Sequence, residues 1–281
     1  VWSQNGLSEP VYRVAADAAA SQTSTAGIAA ATTPAVVAPA NGAPFDMTKQ
    51  GNEHDLMPVI RALQASQAHI DQNIRDYTCT FVKHERVDGV LGEQQFILLK
   101  VMNQPFSVYM RFIQPFAGRE VVFVDGQNEN KLTVLEAGFK RYAGKLSLDP
   151  NGAMAMKGNK HPITSVGIRN LTAKLIKLFE EEAKFAECEV TVTPDTKVDG
   201  RQTLLVQVKH PIPRQSFRAH IMRIFFDNEH KVPIHFDAYL WPAQTGAKPP
   251  LDEAYTYQNL KVNNNFTAMD FDANNNPNIF Q

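Results

Sequence analysis

Phe106-Ser107-Val108-Tyr109-Met110-Arg111-Phe112 decides the fold, because its side chains alternate without a break. Phe106, Val108, Met110 and Phe112 fall on one side of an extended chain, and Ser107, Tyr109 and Arg111 on the other. Period-two alternation of this kind specifies a strand with one buried face and one wet face. Working outward, Gln95 to Met102 precedes it as another strand. Arg119 to Asp125 follows, then a turn at Gly126 to Asn130 and a strand from Lys131 to Glu136. Upstream, Tyr77, Cys79 and Phe81 alternate with Thr78, Thr80 and His84, and Val87-Asp88-Gly89 supplies a turn. Short consecutive strands joined by tight turns predict an antiparallel meander.

Before the meander the period becomes helical. Leu56, Val59, Ile60, Leu63, Ile70 and Ile74 share a face opposite Arg61, Gln64, Asp71 and Arg75, with Asp55 placed to cap and Pro58 in the first turn. From Gly144 to Thr164 periodicity fails, the mark of a functional flap or a loosely held surface loop. Ser165 then opens a second helix, with Ile168, Leu171, Leu175, Leu178 and Phe179 inside and Lys174, Lys177, Glu181 and Glu182 outside. A second meander runs through Glu187 to Thr193, Gln202 to Lys209, Ser216 to Asp227, Val232 to Trp241 and Asp252 to Val262. The expected fold is α+β and mainly β. One large antiparallel sheet, too wide to stay flat, curls into an incomplete barrel around two or three helices. Residues 55–277 form this domain, 278–281 a closing tail, and 1–54 a disordered tail.

That first tail is rich in Ala, Thr, Ser, Val and Pro, carries few charges, and buries too little to offset its ordering entropy. Small-residue tails of this kind follow a removed export signal, so the reading is a processed, exported chain of the periplasm or another envelope compartment. An intact cytoplasmic tail is the alternative. Lys+Arg number 28 against 29 Asp+Glu, a net charge of -1 that offers no field for a nucleic acid backbone. No apolar run is long enough for a transmembrane helix. Cys79 and Cys188 exclude a disulfide scaffold and a Cys-based zinc site, while a single bridge and two buried thiols both stay open.

Chemistry is sparsely signed. Gly138 to Lys145 spaces its glycines wrongly for a phosphate loop and is followed by Leu146 instead of Ser or Thr, and neither GxGxxG nor GxSxG occurs. His210, His220 and His235, with Asp227 or Asp237, form a conceivable zinc set across neighbouring strands, but separate solvated histidines are the plainer reading. Glu85 with Asp88, or Glu187 with Glu189, reads as the wet side of a sheet before it reads as an acid and base pair. No catalytic residue, metal or cofactor is expected.

Aromatics carry the strongest signal. Phe81, Phe96, Phe106, Phe112, Phe123, Phe225, Phe236 and Tyr257 all fall on strands. With a complete wrap they are core; with an incomplete one they line an apolar cavity suited to acyl chains.

The order of helix, meander, helix and meander resembles the LolA/LolB lipoprotein-carrier superfamily, whose fold is an incomplete barrel with helices over its mouth. Tyr77 to Arg86, Gln104 to Tyr109, Gly118 to Val121, Leu148 to Gly152, His161 to Thr164, Tyr255 to Tyr257 and Asp270 to Asp272 are similar to a family of uncharacterised exported bacterial proteins of the planctomycete type. The likeness spans residues 55–277 and transfers no site. It implies carriage of acylated proteins, delivery to receptors, or envelope sensing. The expectation is therefore a non-enzymatic binder of lipid or lipoprotein acyl chains. Phe81, Phe106, Val108, Met110, Phe112, Phe123, Phe225 and Phe236 would line its cavity, with adaptable Met154 and Met156 in the flap. The alternative is a filled-core sensor or interaction domain that meets an envelope protein partner through its loops.

Overall fold

The computed structural model describes residues 43–185, 187–244 and 246–280. The disorder expected of residues 1–42 lies outside them. Among the described residues there are three α-helices, α1 (Met57–Asn73), α2 (Ala153–Met156) and α3 (Ile168–Glu182). The strands of the first meander are β1 (Asp76–Val87), β2 (Val90–Leu91), β3 (Gln95–Asn103), β4 (Phe106–Gln114), β5 (Glu120–Val124), β6 (Leu132–Leu135) and β7 (Lys145–Leu148). Those of the second are β8 (Glu189–Val198), β9 (Arg201–Lys209), β10 (Ile221–Asp227), β11 (Pro233–Tyr239) and β12 (Leu251–Val262).

All twelve strands form one antiparallel sheet in the order β7-β6-β5-β4-β3-β1-β12-β11-β10-β9-β8, with β2 paired to β1 alone. The sheet ends on β7 and β8, which do not pair with each other, so it is curled but open. The two meanders meet at its centre, where β1 and β12 pair from Tyr77 opposite Val262 to Glu85 opposite Glu253, with one irregularity between Thr78 and Thr80. Alternation then fixes the faces. Phe81, Ile97, Phe112, Tyr257, Tyr255 and Phe236 share the concave side through their cross-strand pairings.

Both long helices belong to the same apolar core. Leu56, Val59, Leu63 and Ile70 of the α1 region and Leu171, Leu175 and Phe179 of α3 join it with Phe81, Leu99 and Phe236. Arg169 Nε lies 2.6 Å from Asp71 Oδ1 and ties α3 to α1. At the β10–β11 end, Ser66 Oγ donates to the Lys231 carbonyl at 2.9 Å.

Several expectations shift. Asp55 caps nothing: Leu56 holds the N-cap position without a side-chain bond, and Asp55 pairs with Lys49 instead. Order begins before residue 55, since Phe45 packs edge-on against Phe226 at 5.1 Å and Glu53 holds Arg61 through both carboxylate oxygens. Gly167, not Ser165, precedes α3, and Glu182 is buried, not on the wet face. Lys145–Leu148 pairs with β6 as an edge strand too short to read from its pattern. Ser216 to His220 is not strand; there Phe217 stacks on the His210 ring at 4.1 Å.

The outer face of β4 is wet only at Arg111, since Ser107 and Tyr109 are buried. Tyr109 packs with Met102, Val122 and Val124 beneath Phe271 and Ile279, so the stretch 266–280 crosses the convex side of the sheet. Glu120 Oε2 accepts from Tyr109 Oη at 2.8 Å and from the Phe280 amide at 2.6 Å, which fastens the closing segment. Both cysteines are free thiols, Cys79 being fully buried. Among the described residues no helix is long and apolar enough to cross a membrane.

Candidate functional site

A cavity of about 650 Å³ lies between the concave face of the first meander and the stretch 148–166, which includes α2. Its apolar wall comes from Phe81, Ile97, Met110, Phe112, Val121 and Val134. A smaller space of about 280 Å³ adjoins it beneath α3, lined by Leu175, Leu178 and Phe236 and sharing His161, Leu171, Lys174 and Tyr255 with the first.

The central seam grades this wall from apolar to charged. Successive inward pairs along β1 and β12 are Phe81 with Tyr257, Lys83 with Tyr255, and Glu85 with Glu253. Two carboxylates directly opposite repel and cannot stay buried without compensation. Here Tyr255 Oη sits between them, 2.6 Å from Glu85 Oε1 and 2.9 Å from Glu253 Oε2. His161 Nε2 lies 2.7 Å from Glu253 Oε2 and Arg218 Nη2 2.5 Å from its Oε1. Burial would push the Glu253 carboxyl up, but the hydrogen bond from His161 and the charges of Arg218, His161 and Lys160 hold it at about 2. Burial, with the two carboxylates, drives the Tyr255 phenol far above its ordinary value and keeps it a neutral donor. Burial and neighbouring Arg218 lower Lys174, whose Nζ lies 3.0 Å from His161 Nδ1.

The same cluster fastens the flap. The Lys160 amide donates to Glu85 Oε2 at 3.0 Å, Lys83 Nζ to Asn159 Oδ1 at 2.5 Å, and Lys160 Nζ meets Asp252 Oδ1 at 2.5 Å. Consecutive residues 159–161 are thus latched to the charged end of the seam, while Met154 and Ala155 roof the apolar part. The carboxylates are occupied by cations and hydroxyls, so the arrangement can close a compartment and hold an apolar body within it.

The expected lining divides. Phe81, Met110, Phe112 and Met154 line the large cavity, and Phe236 lines the adjoining space. Phe106, Val108 and Phe123 sit in the apolar core, with the Phe106 and Phe123 rings 6.1 Å apart, and do not reach the lining. Phe225 pairs with His235 while Ile224 pairs with Phe236, so Phe225 faces the opposite side of the sheet. Met156 follows Met154 on α2 but does not line the cavity.

The histidines do not converge. His210 Nδ1 lies 3.1 Å from the Ala219 carbonyl and His220 Nδ1 2.8 Å from the His210 carbonyl, while His235 bridges Thr256 and Asp237 at 2.8 and 3.1 Å. Asp227, Glu229 and His230 do cluster, but Arg201 Nη2 already supplies a cation at 2.7 Å from each carboxylate. Glu187 and Glu189 pair separately with Arg214 and Lys209. Glu85 is buried in the cavity wall, whereas Asp88 is exposed in the turn.

Lys83, His161, Glu253 and Tyr255 do not read as site residues in the sequence, and Glu85 is weighed there only beside Asp88. For the residues of β1 and β12 the signal is polar side chains at period two on an apolar face; His161 lies in the aperiodic flap, within a segment of the family likeness.

An open curled sheet around two long helices, with a flap-covered apolar cavity, defines the class as a half-barrel pocket protein. Residues 74–280 match the family described as Protein of unknown function (DUF1571), and the chain belongs to that family. Among curated proteins no sequence matches. Solved structures similar in fold include lipoprotein LppX of Mycobacterium tuberculosis, with 12% identity, TM-score 0.40 and 74% of this chain against 94% of that one. A LolA superfamily protein of Nitrosomonas europaea gives 8%, 0.29, 75% and 97% in the same measures. The MucA/MucB complex of Pseudomonas aeruginosa gives 15% and 0.42, covering 76% of this chain and 61% of that one.

Proposed function

We propose that the chain is a non-enzymatic binding protein of the cell envelope that shelters the apolar part of an amphiphile, the acyl chains of a lipid or lipoprotein, between its half-open sheet and its flap. The observation that carries this reading is the cavity of about 650 Å³ on the concave face, within the size range of small-molecule sites, with an apolar wall of Phe81, Ile97, Met110, Phe112, Val121 and Val134 and a polar rim. Each methylene moved from water into such a wall contributes about 0.8 kcal/mol, so a partly sheltered chain gains useful affinity. The polar end of the seam suits the ligand's wet end, and the latch at 159–161 gives the flap a defined closed position.

The test is uptake of a fluorescent long-chain fatty acid, alongside native mass spectrometry of protein purified from an envelope fraction. Saturable uptake by the wild type, lost in Val121→Trp, which puts a larger side chain into the cavity wall, is the expected result. Absence of both probe uptake and any acyl adduct would leave the filled-core interaction domain as the better description.

A further inference from the structure

Phe139 and Tyr142 stand 88% and 89% exposed, the most exposed large apolar side chains among the described residues. Their rings lie 6.0 Å apart on the short helical turn Gly138–Ala143 between β6 and β7. Met154 on α2 is 69% exposed, and Phe116 in the β4–β5 turn is 41% exposed. Phe116, Lys140 and Met154 all line the large cavity, so three separate connections bring exposed apolar groups to the rim of one opening. Phe116 rests against Phe112 and Arg119, but Phe139 and Tyr142 pack only on each other among the described residues, and exposed apolar groups gathered at one opening mark an interaction surface.

The charge around it is one-sided. Lys140 and Lys157 line the same rim and make no ion pair among the described residues. Lys145, at the neighbouring end of β7, belongs to the convex face in the row Glu120, Leu135 and Lys145, where its Nζ meets the Ala273 carbonyl and the Phe280 ring, so it is not part of the rim. The acids of that end are already engaged, Glu136 by Arg119 at 2.9 Å and buried Glu120 by Tyr109 and the Phe280 amide. A cationic rim on a chain of net charge -1 is a local feature.

We propose that this rim docks on an anionic lipid bilayer, with Phe139 and Tyr142 at the headgroup boundary and Lys140 and Lys157 against the phosphates. Aromatic rings prefer that boundary, and neighbouring cations add attraction that salt screens. Docking in this orientation turns the cavity opening toward the membrane. It goes beyond the binding reading, since the rim would hold the bilayer whether or not the cavity takes a ligand.

The full chain is floated with vesicles of phosphatidylcholine alone and with an equal mixture of phosphatidylglycerol and phosphatidylcholine. Wild type is expected to rise with the anionic vesicles only and to release them as salt increases. F139S/Y142S is expected to lower the bound fraction about tenfold, with melting temperature and fatty acid uptake unchanged. Failure of the wild type to float, or equal flotation of the double variant, overturns the proposal. So does a concentration-dependent dimer in sedimentation that the double variant abolishes, which would make the rim a contact between copies. Fatty acid uptake is read separately, so failure of the cavity reading is distinct from failure of docking.

Discussion

The phenol oxygen of Tyr77 in β1 accepts the backbone N–H of Ile168 at 2.9 Å, so a side chain of the sheet caps the first turn of α3. Gly167 makes room for it. At φ +108° a Cβ there would lie 2.9 Å from that oxygen, and the backbone itself disfavours any other residue. Tyr77→Phe leaves a buried amide unpaired and is expected to cost about 1–3 kcal/mol in urea denaturation. Gly167→Ala is expected to cost a similar amount through strain, about 1–3 kcal/mol. Equal midpoints for wild type and both variants would contradict the geometry.

Glu253 governs the acid limb of the stability curve. Its carboxyl is held at about 2 against an ordinary 4.5, a depressed value in the folded state. The stabilisation is therefore full above the unfolded value and lost as pH falls from about 4.5 toward 2. Glu253→Gln is expected to cost roughly 3 kcal/mol at neutral pH, by the linkage of pKa to free energy. Thermal melts of the variant should also show a flatter pH dependence across that window.

Glu182 has the opposite sign. Burial pushes its carboxyl up to about 7, only partly offset by the Arg218 amide and charge, and its Oε2 faces His210 Nε2 at 3.5 Å without a hydrogen bond. A raised carboxyl pKa costs stability as pH rises from 4.5 through 7, where the unfolded chain has released its proton and the folded chain has not. Glu182→Gln keeps an acceptor for the Arg218 amide and is expected to stabilise by about 1–3 kcal/mol at pH 8, with little gain at pH 4. Equal gains at the two pH values would refute this account.

Phe271 anchors the segment that crosses the convex face and is 1% exposed. Phe271→Ala is expected to cost about 3–5 kcal/mol. Hydrogen exchange should speed up in β4 and β5, which it covers, before it does in β10 and β11.

Alternation made the strands legible where one face was apolar over a full element, as from Phe106 to Phe112, and the helical stripes were legible for the same reason. It failed where burial came from sequence-distant pieces. Tyr109 reads as wet because the segment that covers it, around Phe271 and Ile279, has no periodicity of its own. Glu85 reads as a surface charge, and Glu253 draws no notice, because the pair becomes tolerable only through His161, Arg218 and Tyr255, which lie on different elements. Phe225 and Phe236 look equivalent until strand pairing assigns them to opposite faces.

The seam between β1 and β12 joins the first strand of the sheet to its last. Each meander can zip up from local hairpins as the polypeptide leaves the ribosome, but the middle of the sheet must wait for its final strand to be made. Until then β1 is an unpaired edge, open to stray partners. Assembly of the pocket wall, which both strands build, therefore waits on a contact that spans nearly the whole sheet in sequence, the kind of non-local pairing that forms slowly.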